Sequence, residues 1–125
     1  MDPVEHPRTT VGSPGAGGGS GAERRLAELG LELPPVATPV ASYVPVVVSG
    51  SLAFVAGQVP MAEGRLLWSG KLGQDIDVDV GAEAARRCGL QALAALRAFL
   101  GSLDRVRRIV KVSVFVASAA GFTEQ

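Results

Sequence analysis

A hairpin with an abrupt exit constrains the fold of this chain more than any other stretch. Two β-rich runs, Val44 to Val48 and Leu52 to Val55, flank the turn Ser49-Gly50-Ser51. The second run leads into Gly57-Gln-Val-Pro60, where the glycine gives backbone freedom and the proline lacks an N–H donor. The sequence therefore predicts an antiparallel hairpin whose second strand stops sharply.

Composition predicts one folded domain and argues against several classes of partner. The 125 residues are 47% hydrophobic, which is enough for a packed core. Twelve basic side chains balance twelve acidic ones, so we expect neither a nucleic acid nor a membrane as partner. No apolar run is long enough to span a bilayer, and the first residues do not resemble a signal peptide, so we expect a cytoplasmic protein.

The beginning of the chain differs from the rest in composition. Residues 1 to 21 are rich in proline and glycine and predict a disordered tail, which leaves residues 22 to 125 as a single domain. Ala22 to Leu29 favours a short helix ended by Gly30. Three prolines then indicate an extended connector; they are Pro34, Pro35 and Pro39.

Beyond the hairpin, the pattern predicts a turn at Met61 to Gly64, a third strand at Arg65 to Ser69 and then a long helix. Asp77 is the expected N-cap of that helix, and its end falls near Gly101. Helical spacing predicts a buried stripe and an opposite face. The stripe comprises Ala85, Cys88, Ala92, Leu93, Leu96, Phe99, Leu100 and Leu103, and the opposite face comprises Glu83, Arg87, Ala94 and Arg97.

Two glycines inside the predicted helix call for an explanation. Gly81 and Gly89 each cost about 1 kcal/mol relative to alanine in a helix interior. We expect a close approach of the helix to the sheet at these positions.

Val106 to Ala117 alternates apolar and mixed residues and predicts a further strand. The order strand, strand, strand, helix, strand gives an α+β fold. One helix covers about 10 Å of sheet width, whereas four strands span roughly twice that, so we expect part of the sheet to remain uncovered in this length of chain. We interpret the domain as incomplete.

Several motifs that could carry chemistry fail on their details. Asp75-x-Asp77-x-Asp79 lacks the glycine and glutamate that a calcium loop requires, and helix capping explains it better. Gly64 and Gly70-Lys71 have the wrong spacing for a phosphate loop. Cys88 lies in the apolar stripe, so we expect it to pack in the core and not to react. The one histidine, His6, lies in the tail, so we expect no metal site and no catalytic triad. A basic cluster, Arg105, Arg107, Arg108 and Lys111, is interpreted as a solvated strand entrance.

The motif Phe54-Val-Ala-Gly-Gln-Val-Pro60 resembles the corresponding motif of the RidA/YjgF family of small imine and enamine deaminases. Further motifs similar to the family are Arg24-Arg-Leu-Ala-Glu-Leu-Gly30, Gly70-Lys-Leu-Gly73 and the run from Leu103 to Ser118. Their order and spacing resemble a branch of the family that has a longer N-terminus. The resemblance implies a six-stranded sheet with two helices on one face, so the second helix and last two strands are expected to be absent here. It also implies a homotrimer that needs no cofactor.

The resemblance implies a ligand pocket between subunits for a small metabolite that bears a carboxylate. Tyr43 matches a tyrosine that lines this pocket, Ala56 stands where the family has a serine, and Gly57 contributes backbone. The family's arginine clamp and water-positioning glutamate come from its last two strands, so no catalytic residue can be assigned here. The complete protein is expected to hydrolyse 2-imino acids or enamines to 2-keto acids and ammonia, and this chain alone to be inactive. The alternatives are a non-catalytic module that binds a small ligand or a partner, and, with less support, RNA cleavage.

Overall fold

The computed structural model describes residues 21–36 and 42–125. The predicted tail up to Ser20 and the connector proline Pro39 lie outside the described residues. The predicted α+β class is confirmed. The elements are α1 (Ala22–Glu28), β1 (Val46–Ser49), β2 (Leu52–Val55), β3 (Met61–Ala62), β4 (Arg65–Leu66), α2 (Val78–Leu100) and a 3-10 turn (Leu103–Arg105).

The predicted hairpin is confirmed as the antiparallel pair β1 and β2. Its register sets Val46 opposite Val55 and Val47 opposite Phe54. Gly50 adopts φ 59°, the left-handed conformation that two-residue hairpin turns require. Because facing residues share one side of the sheet, Val46 and Val55 turn to the core while Val47 and Phe54 lie exposed on the other side.

The second hairpin corrects the predicted third strand. Met61–Ala62, expected to be part of a turn, pairs with Arg65–Leu66 in a separate two-stranded sheet. Glu63 and Gly64 form the tight turn, both with positive φ. This turn folds the chain directly back, so the third strand pairs with the residues just before it instead of extending the first hairpin.

Both predicted ends of α2 are confirmed. The carboxylate of Asp77 accepts a hydrogen bond of 2.9 Å from the Val80 N–H, and Gly101 ends the helix in the left-handed conformation with φ 84°. Asp75 accepts from the Lys71 N–H in the preceding turn. The alternating carboxylates therefore serve local structure, and residues 21–36 and 42–125 contain no cluster of side chains suited to a metal. Across the same residues, no helix has the length and apolar character needed to cross a membrane.

The buried face of α2 differs from the predicted stripe. Leu96 is buried and joins Leu26, Val46 and Leu103 in the core. Two groups of residues depart from the prediction: Ala85 and Phe99 are exposed, whereas Gln91 and Ala94 are buried. The stripe was derived for a helix lying on a continuous sheet. Here the hairpin covers only part of the helix. The buried apolar face also packs against α1 and the residues that follow it, Leu31 and Leu33, while Gln91 bonds to Met61.

The predicted strand at Val106 to Ala117 does not form. No backbone hydrogen bond joins residues 107–116 to any other described segment, although Ala117 accepts one from the Leu72 N–H at 2.9 Å. A strand exists only when a partner pairs with its backbone groups, and alternation cannot supply that partner. The side chains lie in solvent as a result, with Phe115 95% exposed.

A charged clamp joins α1 to the corner after α2. Arg97 donates to both carboxylate oxygens of Glu23, at 3.0 and 2.7 Å, and the Leu103 N–H donates to the same carboxylate at 3.0 Å. The Glu23 N–H in turn donates to Asp104. The hydrogen bonds to its carboxylate lower the pKa of Glu23, those from Arg97 most and the one from the Leu103 N–H next. The clamp lies beside Leu103, whose side chain is in the core and only 2% exposed.

We predict that acid weakens this clamp. Since folding lowers the pKa of Glu23, its contribution to stability is present above the ordinary glutamate pKa of about 4.3 and is lost as the pH falls through the lower value of the folded state. The melting temperature of Glu23→Gln, followed by circular dichroism from pH 3 to pH 7, should therefore fall less on acidification than that of the unmodified protein. Glu83→Gln, on the exposed side of α2, is the control and should follow the unmodified protein. Parallel curves for all three would contradict the prediction.

We predict opposite outcomes at the two helix glycines. The close approach expected at Gly89 is wrong, because a methyl group there would meet no atom within 4 Å, so Gly89→Ala should raise the free energy of unfolding by about 1 kcal/mol. A methyl group at Gly81 would lie 2.6 Å from a Leu72 methyl, so Gly81→Ala should gain less, because Leu72 must move. Urea unfolding of the two variants tests this, and equal gains would refute the close approach at Gly81.

Candidate functional site

The three residues predicted to bind a ligand lie at one end of the first hairpin. The Ala56 N–H donates to the Pro45 carbonyl at 2.9 Å, one rung beyond the last strand pair. Tyr43 precedes Pro45 by two residues, and Gly57 follows Ala56. Tyr43, Ala56 and Gly57 therefore share the open end of the hairpin, opposite its turn, and their binding role stays a prediction.

This open end presents accessible surface. Tyr43 is 43% exposed, Ala56 is half-buried and Gly57 is exposed. A methyl group built on Gly57 would meet no atom within 4 Å, and its φ lies outside the left-handed region. Neither packing nor backbone conformation in this chain requires a glycine here. What Gly57 provides is a bare stretch of backbone that another molecule can approach closely.

The side chain of Gln58 turns inward from the motif. Its Nε2 donates to the carbonyl of Ala56 at 3.1 Å, and its Oε1 accepts from Gln91 Nε2 at 3.2 Å. The motif glutamine therefore ties the site backbone to α2. The exit segment, residues 56–61, is thus held from the helix side.

Gln91 is the centre of this attachment, and the sequence did not single it out. Its side chain accepts from the Met61 N–H at 2.9 Å and donates to the Val59 carbonyl at 2.8 Å. Gln91 is 5% exposed and is the one polar residue in the described part of the chain that is fully buried. The available signal was an uncharged polar residue between Leu90 and Ala92, in the most apolar part of the predicted helix.

Arg87 supports the same segment, although helical spacing placed it on the face away from the core. Its Nε donates to the Met61 carbonyl at 2.9 Å and to Gln91 Oε1 at 3.3 Å. Arg87 and Gln91 are separated by four residues and so lie one turn apart on the same side of the helix. Together they bind both backbone groups of Met61.

Other candidate residues lie away from this segment or lack a reactive setting. Cys88 is half-buried, and burial raises the pKa of its thiol, so the thiolate is disfavoured at neutral pH. This agrees with the packing role predicted for it. Arg105 of the basic cluster donates to the Leu100 carbonyl at 2.8 Å, while Arg107, Arg108 and Lys111 are exposed.

The family assignment agrees with the motif that runs through this site. The family described as "YjgF/chorismate mutase-like, putative endoribonuclease" matches residues 23–121. The chain belongs to the YjgF family. A curated relative, protein TCP17 of Trypanosoma cruzi, is 45% identical over 100 residues, which make up 80% of this chain and 62% of that protein.

Solved structures show the same backbone arrangement. Protein Atu1372 from Agrobacterium tumefaciens, described as a protein with unknown function, has a TM-score of 0.72 and 43% identity, over 82% of this chain and 63% of that one. A "putative endoribonuclease" from Shewanella oneidensis has a TM-score of 0.62 and 42% identity, over 66% of this chain and 55% of that one. This YjgF-family chain therefore spans less than two thirds of the length of these relatives.

We predict that Gly57 can be replaced without loss of stability. Gly57→Ala should change the free energy of unfolding by no more than about 0.5 kcal/mol from that of the unmodified protein, and any larger change should be a gain, because the space around Gly57 is open and its φ is not left-handed. Gly101→Ala is the matched control: it also has open space but a φ of 84°, so it should cost about 1 kcal/mol. Urea unfolding measures both. An equally large loss at Gly57 would show that this glycine serves the fold.

Proposed function

We propose that the open end of the first hairpin is part of a binding site for a small metabolite that bears a carboxylate. The observation that carries this proposal is the accessible backbone of Gly57 beside Ala56 and the half-exposed Tyr43, on a segment fixed from behind. Clefts that bind small molecules need such rigid support, because a mobile wall must be ordered at the expense of affinity. The YjgF-family match across residues 23–121 supports the same site.

For the whole protein we propose hydrolysis of 2-imino acids or enamines, without a metal or organic cofactor. Water adds to the electrophilic imine carbon, and the resulting carbinolamine then loses ammonia to leave a 2-keto acid. The protein's part is to hold the carboxylate and orient the water. A homotrimer in the cytoplasm belongs to this proposal, and the exposed outer side of the first hairpin, with Val47 and Phe54, supplies apolar surface for contact between subunits.

By itself, the 125-residue chain is proposed to bind without hydrolysing. Hydrogen bonds to the exit segment come from amides, from Arg87 and from backbone groups, and within the described residues no carboxylate bonds to it. A water beside Gly57 would therefore have no hydrogen-bonded base to orient it. Ala56 also offers no hydroxyl group.

We predict that this chain does not accelerate imine hydrolysis. In the assay, a dehydratase releases 2-iminobutanoate and the rate at which 2-ketobutanoate forms is measured. The assay is run with this chain, with buffer alone, and with a YjgF-family deaminase of known activity as positive control. The rate with this chain should equal the rate with buffer. A faster rate that Gly57→Ala or Tyr43→Phe abolishes would contradict the prediction and place catalysis at the hairpin end.

A non-catalytic module is the second candidate, and the alanine at position 56 favours it, because a family fold can host a site with different chemistry. Amide chemical shifts during a titration with 2-ketobutanoate discriminate between the two. Shifts confined to Tyr43, Ala56 and Gly57 support the metabolite site, whereas no shift at these residues supports a module with another ligand. RNA cleavage, which the family description names, has less support: the chain has no net charge, and its one histidine is His6.

A further inference from the structure

The exit segment is held by a buried amide that has only one favourable orientation. Gln91 Oε1 faces two donors, the Met61 N–H and Arg87 Nε, while Gln91 Nε2 faces two acceptors, the Val59 carbonyl and Gln58 Oε1. Rotating the amide by 180° would set donors against donors and acceptors against acceptors. In a site that is only 5% exposed, water cannot compensate for such a mismatch.

From this amide, two hydrogen bonds lead to the site backbone. The first joins Gln91 Nε2 to Gln58 Oε1 at 3.2 Å, and the second joins Gln58 Nε2 to the Ala56 carbonyl at 3.1 Å. The Ala56 N–H is fixed separately by the Pro45 carbonyl. Both peptide groups of Ala56 therefore have a partner, one from the hairpin and one from the helix through Gln58.

We infer that Gln91 is a positioning residue, which acts through Gln58 to fix the peptide between Ala56 and Gly57 in the orientation that a ligand meets. This inference rests on the proposed function for its ligand, a small carboxylate. Gln91 does not itself reach the exposed surface. Its orientation is passed on because Gln58 can donate to Ala56 only while its oxygen faces the Gln91 amide nitrogen.

Two substitutions separate this role from a purely structural one. Gln91→Glu keeps an oxygen acceptor for the Met61 N–H and Arg87 but removes the donor to Gln58 and Val59. Gln58→Leu leaves Gln91 in place and removes the connection to Ala56. Gln58 is half-buried, so this variant should fold even if Gln91→Glu does not. Gln74→Leu, at an exposed glutamine outside the exit segment, is the matched control.

The first measurement uses no ligand. Amide hydrogen exchange and the carbonyl carbon shift of Ala56 are recorded by NMR for the four proteins. We expect Gln58→Leu and Gln91→Glu to shift the Ala56 carbonyl and the Gly57 amide resonances, while Met61 exchange rises in neither by more than about threefold. A purely structural role predicts instead a uniform rise of exchange throughout the domain. Unchanged Ala56 and Gly57 resonances in Gln58→Leu would overturn the inference.

The second measurement titrates the same proteins, together with the double variant Gln58→Leu/Gln91→Glu, with 2-ketobutanoate. The loss of one hydrogen bond that orders the peptide should weaken binding about three- to tenfold in either variant. The double variant should lose no more than a single variant, because both act through one connection. Binding as tight as in the unmodified protein would overturn the inference while leaving the proposed function intact. If the unmodified protein does not bind 2-ketobutanoate, the proposed ligand class fails, and the measurement without ligand still decides whether Gln91 orients this peptide.

Discussion

A buried amide that must satisfy four hydrogen-bonding partners determines where the chain runs after its first hairpin. Gln91 bonds to backbone groups of Val59 and Met61, and so fixes the path of the exit segment against α2. Removing a buried amide from water is costly unless all of its groups are paired, which makes this contact selective for one arrangement. Through Gln58, the same contact also holds the backbone of Ala56 at the open end of the hairpin, where the proposed site lies.

The apolar core complements this polar attachment near the C-terminal end of the helix. Leu103 fills the corner after α2, and the carboxylate of Glu23 closes over it by bonding to Arg97 and to the Leu103 N–H. α1 therefore docks by direct charge pairing as well as by the burial of Leu26. Two separate contacts, one in the middle of α2 and one near its C-terminal end, position the short elements around the long helix.

The motif that identifies the family has more than one physical role. Gly57 leaves backbone accessible, Gln58 turns inward to tie that backbone to the helix, and the carbonyl of Pro60 accepts from the Leu67 N–H at the second hairpin. Only the first of these roles concerns the proposed binding site. The motif therefore marks the fold, because two of its three roles are contacts within the chain.

By itself, the sequence determined the elements that local rules control: the first hairpin and both caps of α2. The three candidate ligand residues at the hairpin's open end came from the resemblance to the family, and their role stays a prediction. Turn geometry, a capping carboxylate and a left-handed glycine act within a few residues, so their signals are readable in order along the chain. Tertiary structure decided the burial of Gln91, the inward turn of Arg87 and the absence of a strand at Val106 to Ala117. Each depends on which distant segment supplies a hydrogen-bonding partner, and periodicity along one segment carries no information about that partner.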